Sequence, residues 1–211
     1  MRILGVDPGS RLTGFGLIDL VDRRMRHVAH GTLRLSNTGG KAVIPLHERL
    51  LSIHEGLSGV IQEHRPQVMV VERAFFAKNA ASALKLGQAR GVVIVTGAMH
   101  DLEMAEYSPS EIKSALTGHG QADKFQVARM VEILLGQNQK FGTSDASDAL
   151  AIALCHAQTL GAGGRAAAGS GLAAWAGRSS RRSSNSLADA LGITAESVEG
   201  RKSFRRGESK P

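Results

Sequence analysis

A chain of 211 residues with 42% hydrophobic and 21% charged side chains is long enough for one substantial core with an appendage, and this balance excludes wholesale disorder. The net charge of +7 hints at a nucleic-acid partner, but nine of the 26 basic and four of the 19 acidic residues fall after Leu160. Residues 1–160 therefore carry only 17 basic side chains against 15 acidic ones, and any DNA surface there has to come from local clustering. No apolar run approaches the roughly 20 residues that span a bilayer, and the opening lacks a basic-then-apolar leader pattern. Cys155 is the only cysteine, so no intrachain disulfide can form. A cytoplasmic protein with one buried, inert thiol is the expectation.

Ile3–Val6 is a short apolar run that ends at Asp7, and Asp7-Pro8-Gly9-Ser10 is a turn leading into a second strand over Thr13–Leu20. A third strand is expected over Arg26–Leu35. From Pro45 the spacing becomes helical, with Leu46, Leu50, Ile53, Leu57, Val60 and Ile61, and Pro66 stops that helix at the residue before it. Gln67–Val71 is a continuous apolar run, as a strand buried on both faces requires, and it ends at Glu72. Asn79–Met99 reads as a long helix and Glu103–Tyr107 as a strand. Pro109–Leu116 is a short helix capped by Ser108, with proline at the first helical position. Lys124–Leu135 is a further helix, its Phe125, Val127, Ala128, Val131, Ile133 and Leu134 taken as mostly one side. The last core helix runs from about Ser144 to Leu160. Strands first, then alternating helix and strand, predict an α/β fold with a mixed five-stranded sheet covered by helices. After Gly161 the composition turns to Gly, Ala, Ser and Arg, and residues 161–211 are expected to be a disordered tail.

Three acidic positions stand where an apolar element ends or begins. Asp7 closes the first strand and Glu72 the fourth, while Asp145 and Asp148, three apart, share one face at the start of the last helix. Singly, Asp7 could cap a turn, Glu72 could pair with Arg73, and Asp145 and Asp148 could complement a helix dipole. Together, at adjacent strand ends with a helix start beside them, they form a carboxylate cluster that resists ionisation without a cation. Oxygen ligands with no paired His or Cys favour Mg²⁺ or Mn²⁺, and two such ions about 4 Å apart serve phosphodiester hydrolysis.

Four stretches carry a family resemblance: Met1–Gly16, Val71–Asn79, Ala83–Gly91 and Ser144–Ala153. In order and spacing they resemble the RuvC family of Holliday junction resolvases over the whole of residues 1–160. The resemblance implies an RNase H-like fold, with Asp7, Glu72, Asp145 and Asp148 as catalytic ligands of two Mg²⁺ ions per subunit and Mn²⁺ as a substitute. It also implies a homodimer that nicks opposing strands of a four-way DNA junction symmetrically, in recombination and repair, with the RuvA–RuvB branch-migration complex as partner.

Phe75 and Phe76 follow Glu72 closely, and Phe75 is the one expected to meet unpaired bases. Lys78, Lys85 and Arg90 flank that segment as candidate DNA contacts, and the resemblance puts Lys113 and Lys124 near the scissile phosphate. Ala83, Gly87 and Gly91 form a strip of small residues that packing on the chain's own sheet explains as well as a dimer contact does. Only the resemblance favours a two-fold interface there, with Leu84 beside it. The rival readings are an RNase H-like nuclease acting on RNA, a two-lobed sugar-kinase or actin-like ATPase, and a junction-binding protein without catalysis. For the ATPase the chain looks too short.

Overall fold

The computed structural model describes residues 1–9, 11–35, 44–73, 80–136 and 144–161, all within one compact unit. Its strands are β1 (Arg2–Asp7), β2 (Leu12–Val21), β3 (Arg24–Arg34), β4 (Val68–Glu72) and β5 (Glu103–Tyr107). Its helices are α1 (Leu46–His64), α2 (Ala80–Met99), α3 (Pro109–Thr117), α4 (Lys124–Leu134) and α5 (Ser144–Gly161). They form one five-stranded sheet in the order β3-β2-β1-β4-β5. β1, β2 and β3 pair antiparallel, while β4 lies parallel to both β1 and β5. The expected mixed five-stranded sheet covered by helices is what the chain builds.

Period-two alternation divides the sheet between two cores. Leu4, Val6, Leu17, Met69 and Val71 point to the side covered by α1 and α2. Ile3, Ile18, Val68, Val70 and Tyr107 point to the side covered by α3, α4 and α5. Both faces are thus buried around β1 and β4, which explains why the β4 sequence is an unbroken apolar run.

Local chemistry sets the element ends. α1 stops at Arg65, whose left-handed backbone (φ 49°, ψ 57°) precedes Pro66. α3 opens with Pro109 behind a capping box between Ser108 and Glu111, and α4 opens with a second one between Asp123 and Gln126. The β2–β3 turn is a two-residue hairpin with Asp22 and Arg23 both at positive φ, 49° and 61°. Because that turn is so tight, β3 begins at Arg24, two residues earlier than expected.

The apolar side expected of α4 needs correction. Val127 and Val131 are buried, but Phe125 and Ile133 are exposed. At about 100° per residue, Phe125 stands some 200° around the helix from Val127 and cannot share its face. No helix among the described residues is long and apolar enough to cross a membrane. The tail call, and the calls on Phe75, Phe76 and Lys78, lie outside the described residues.

Candidate active site

The alternation that builds the two cores also aims the carboxylates. Ile3 and Val68 pair in register and face α5, and the same parity carries to Asp7 at the end of β1 and Glu72 at the end of β4. These are neighbouring parallel strands, whose last paired residues are Val6 and Val71, so Asp7 and Glu72 leave the sheet side by side on one face.

α5 brings the third carboxylate. The helix crosses directly over β1 and β2, which only glycines permit at that separation. A Cβ at Gly14 would overlap the Asp145 carbonyl oxygen, and one at Gly5 would overlap that of Ala149. With the helix backbone seated this closely, Asp148 joins Asp7 and Glu72 in the wall of one cavity of about 310 Å³. Lys113 of α3 and Lys124 of α4 line the same cavity. Asp145 does not line it, but its charge reaches both Asp7 and Lys124. Pro109, Ile112, Val127, Ala151 and Ile152 complete the wall; these apolar residues were legible only as core-facing helix positions.

The electrostatics are those of crowded negative charge. Burial first, then the charges of Glu72, Asp148 and Asp145, push the Asp7 carboxyl up to about 7, and Lys124 partly offsets them. Glu72 is raised as well, by burial and then by Asp148, with Lys124 and Lys113 acting in the opposite direction. Lys124 Nζ lies 3.2 Å from Asp148 Oδ2, and that carboxylate raises its pKa. Carboxylates with purely structural roles behave oppositely here. Asp19 is lowered by its hydrogen bonds from Arg2, and Glu111 by those from Ser108.

The donor set suits a hard divalent cation: among the described residues three carboxylates line one cavity, two of them held above their ordinary range, and no thiolate or imidazole lines it with them. Among the described residues no three such groups are already drawn together tightly enough to enclose an ion. Asp7, Glu72 and Asp148 nevertheless share one cavity wall and act on one another through their charges.

Several expected residues sit elsewhere. Arg90 is turned inward: its guanidinium pairs with Glu106 and donates to the Glu72 carbonyl at 3.4 Å, so it braces the end of β4 from behind the cavity rather than presenting itself to DNA. Lys85 is exposed on α2 and does not line the cavity. Arg73 pairs with Glu111 at 4.0 Å, which removes the reading of Glu72 as its partner. On α2 the sheet-facing residues are Ala89, Val93, Thr96 and Gly97. Gly87 and Gly91 have open space above them and Leu84 is 66% exposed, so packing on the chain's own sheet does not explain the small-residue strip. Ala83 is half-buried. Cys155 is buried, as expected, and burial pushes its thiol up to about 12. His156, also buried, shares a 2.9 Å hydrogen bond with the Tyr107 hydroxyl.

Residues 3–156 match the family described as Crossover junction endodeoxyribonuclease RuvC. The chain is 54% identical over 157 residues to the protein of that name from Pseudomonas entomophila, covering 74% of this chain and 86% of the relative. A solved structure of Thermus thermophilus RuvC superposes with a TM-score of 0.69 at 33% identity, covering 77% of this chain and 97% of that one. T. thermophilus RuvC in complex with a Holliday junction substrate gives a TM-score of 0.67 at 30% identity with the same coverage. The architecture is thus the RNase H-like one expected, and the chain belongs to the RuvC family of crossover junction endodeoxyribonucleases.

Proposed function

We propose that this chain resolves four-way DNA junctions as a Mg²⁺-dependent endonuclease, making paired symmetric nicks as a homodimer. The observation that carries the reading is the single cavity lined by Asp7, Glu72 and Asp148 together with Lys113 and Lys124. Bound there, one or two Mg²⁺ ions, or Mn²⁺ in their place, would supply Lewis-acid activation of water and of the scissile phosphate.

The chain's own groups set up the rest. Asp7, Glu72 and Asp148 would hold the cations, with Asp145 adding negative charge from just outside the cavity wall. With the Asp7 carboxyl pushed up to about 7, protonated and ionised forms share the range near neutrality, and only the ionised form would act as a ligand. Lys113 and Lys124 place two positive charges at the wall, where they would draw in the phosphate and stabilise charge as it develops. The Lys124 ammonium, which leans on Asp148, would exchange that partner for a phosphate oxygen. Phosphate contacts of this kind supply affinity without sequence, and selectivity for a junction comes from its branched shape.

A homodimer fits the substrate, since a four-way junction offers two related strands and two sites must be held in fixed register. The outward strip of α2, with Ala83, Leu84, Gly87 and Gly91, is the surface proposed for the two-fold contact. The RuvA–RuvB complex is the proposed working partner and the cytoplasm the proposed location. Binding without catalysis is the weaker reading, because Asp7 and Glu72 are destabilised where structural carboxylates such as Asp19 are stabilised.

The deciding assay uses a synthetic four-way junction, a plain duplex and a structured RNA, each with Mg²⁺ and with chelator. Paired nicks on the junction alone, lost with chelator, are expected. Equal cutting of RNA, or full cutting without divalent ions, would overturn the proposal.

A further inference from the structure

The sheet leaves one backbone acceptor unserved at the end of β4. The Arg73 N–H donates to the Tyr107 carbonyl at 2.7 Å, so position 73 faces β5. Peptide groups alternate sides along a strand, which turns those of Glu72 towards β1. With Val6 opposite Val71, continuing the parallel ladder by one residue would need the N–H of residue 8 to donate to the Glu72 carbonyl. Residue 8 is Pro8 and has no N–H. The pairing of β1 with β4 accordingly stops at Val6 and Val71, although β1 itself continues to Asp7 against Gly14 of β2.

A donor arrives from α2 instead. Arg90 Nε donates to the Glu72 carbonyl at 3.4 Å, and Nη2 of the same guanidinium pairs with Glu106 of β5. The Glu106 side chain is 9% exposed and that of Arg90 21%. Taking two charges this far from water can cost as much as their attraction returns, so stability alone is a poor reason for the pair. What it supplies is geometry, because a planar fork of fixed donors spans acceptors on two neighbouring strands.

We infer that Arg90 is a positioning residue for Glu72: it fills the gap that Pro8 leaves in the sheet and fixes the peptide from which the Glu72 carboxylate reaches the cavity, with Glu106 aiming the guanidinium. A group of this kind orients a cation ligand without touching cation or substrate. The inference rests on the reading of Glu72 as a cation ligand in a junction nuclease. The competing role is a plain tether between α2 and β5. A tether needs only the charge pair with Glu106, which a lysine would also make.

The test compares the full chain as wild type, as Arg90→Lys and with the double change Arg90→Met and Glu106→Leu. Three quantities are read beside the melting temperature: Mn²⁺ binding without DNA, from the electron paramagnetic resonance signal of the free ion; the single-turnover nicking rate with Mg²⁺; and junction affinity without divalent ions. Arg90→Lys keeps a charge for Glu106 but, as a point charge, cannot span both acceptors. It should melt close to wild type and bind the junction equally well, while Mn²⁺ affinity and nicking rate each fall about tenfold. The apolar double change should melt at or above wild type and be as slow as Arg90→Lys. Pro8→Ala gives residue 8 the missing donor, so in that background Arg90→Lys should cost less than about threefold. Wild-type Mn²⁺ affinity and rate in Arg90→Lys, a wild-type rate in the apolar double change, or an equal cost of Arg90→Lys with and without Pro8 would each overturn the inference. Failure of wild type to nick the junction with Mg²⁺ would instead count against the nuclease reading.

Discussion

Asp7 carries a charge that the fold disfavours. Its folded pKa of about 7 lies above the unfolded value of 3.8, so the folded state binds the proton more tightly. Stability attributable to this group is present below about pH 4, is lost as pH rises towards 7, and above that the cost is fully expressed, at roughly 4 kcal/mol as an upper figure. Asp7→Asn keeps the shape and removes the charge. It should abolish cutting, leave junction binding intact, and raise the melting temperature at pH 8 by several degrees, a gain that vanishes near pH 4. Thermal melts without divalent ions across that range check it, and an equal effect at both ends would remove the strain from the account. The lysines act from the opposite sign. Lys124 is 80% exposed on its side chain, so its ion pair with Asp148 adds little stability. Lys124→Ala should therefore melt as wild type yet slow single-turnover cutting about a hundredfold. A rate within a factor of two or three of wild type would place its charge outside the reaction.

At the scale of elements, the site depends on how closely α5 can lie against β1 and β2. Gly14 and Gly5 set that distance, because any side chain there meets helix backbone rather than a flexible side-chain end. Gly14→Ala should destabilise the protein by about 1–3 kcal/mol. It should also cost more activity than this loss of stability explains, since lifting α5 moves Asp148 away from Asp7 and Glu72. Comparing melts with the rate at a temperature where the variant is fully folded separates the two effects. A normal rate there would show that the cavity tolerates a raised helix. The Tyr107–His156 hydrogen bond ties β5 to the same helix further along, beside the strand whose end carries Glu72.

For the whole molecule, the open α2 strip is the feature that a single copy leaves unused. In an isolated protomer Gly91→Arg puts a side chain into open space and replaces a poor helix former, which should stabilise the helix by up to about 1 kcal/mol. If two copies meet there, the same change blocks their approach. Sedimentation of wild type as a dimer and of Gly91→Arg as a folded monomer, with paired nicking lost, is the expected pattern. A dimeric, fully active Gly91→Arg would move the interface elsewhere.

The strand-end carboxylates and the buried β4 strand were readable in the chain because their signals are local: an apolar run, its period, and the acid that ends it. The start of β3 was not, since Asp22-Arg23 lacks the Asn-Gly signature of its turn. Nor was the exposure of Phe125, because apolar letters close in sequence do not share a helix face unless their spacing returns to it. Arg90 looked like a free cation until β5 brought Glu106 to it. By itself the sequence determined which elements form and that four acids lie at their ends. Only the tertiary structure decided which of those acids line a common cavity, because that depends on how near α5 comes to the sheet, a distance set by glycines on strands far from it in sequence.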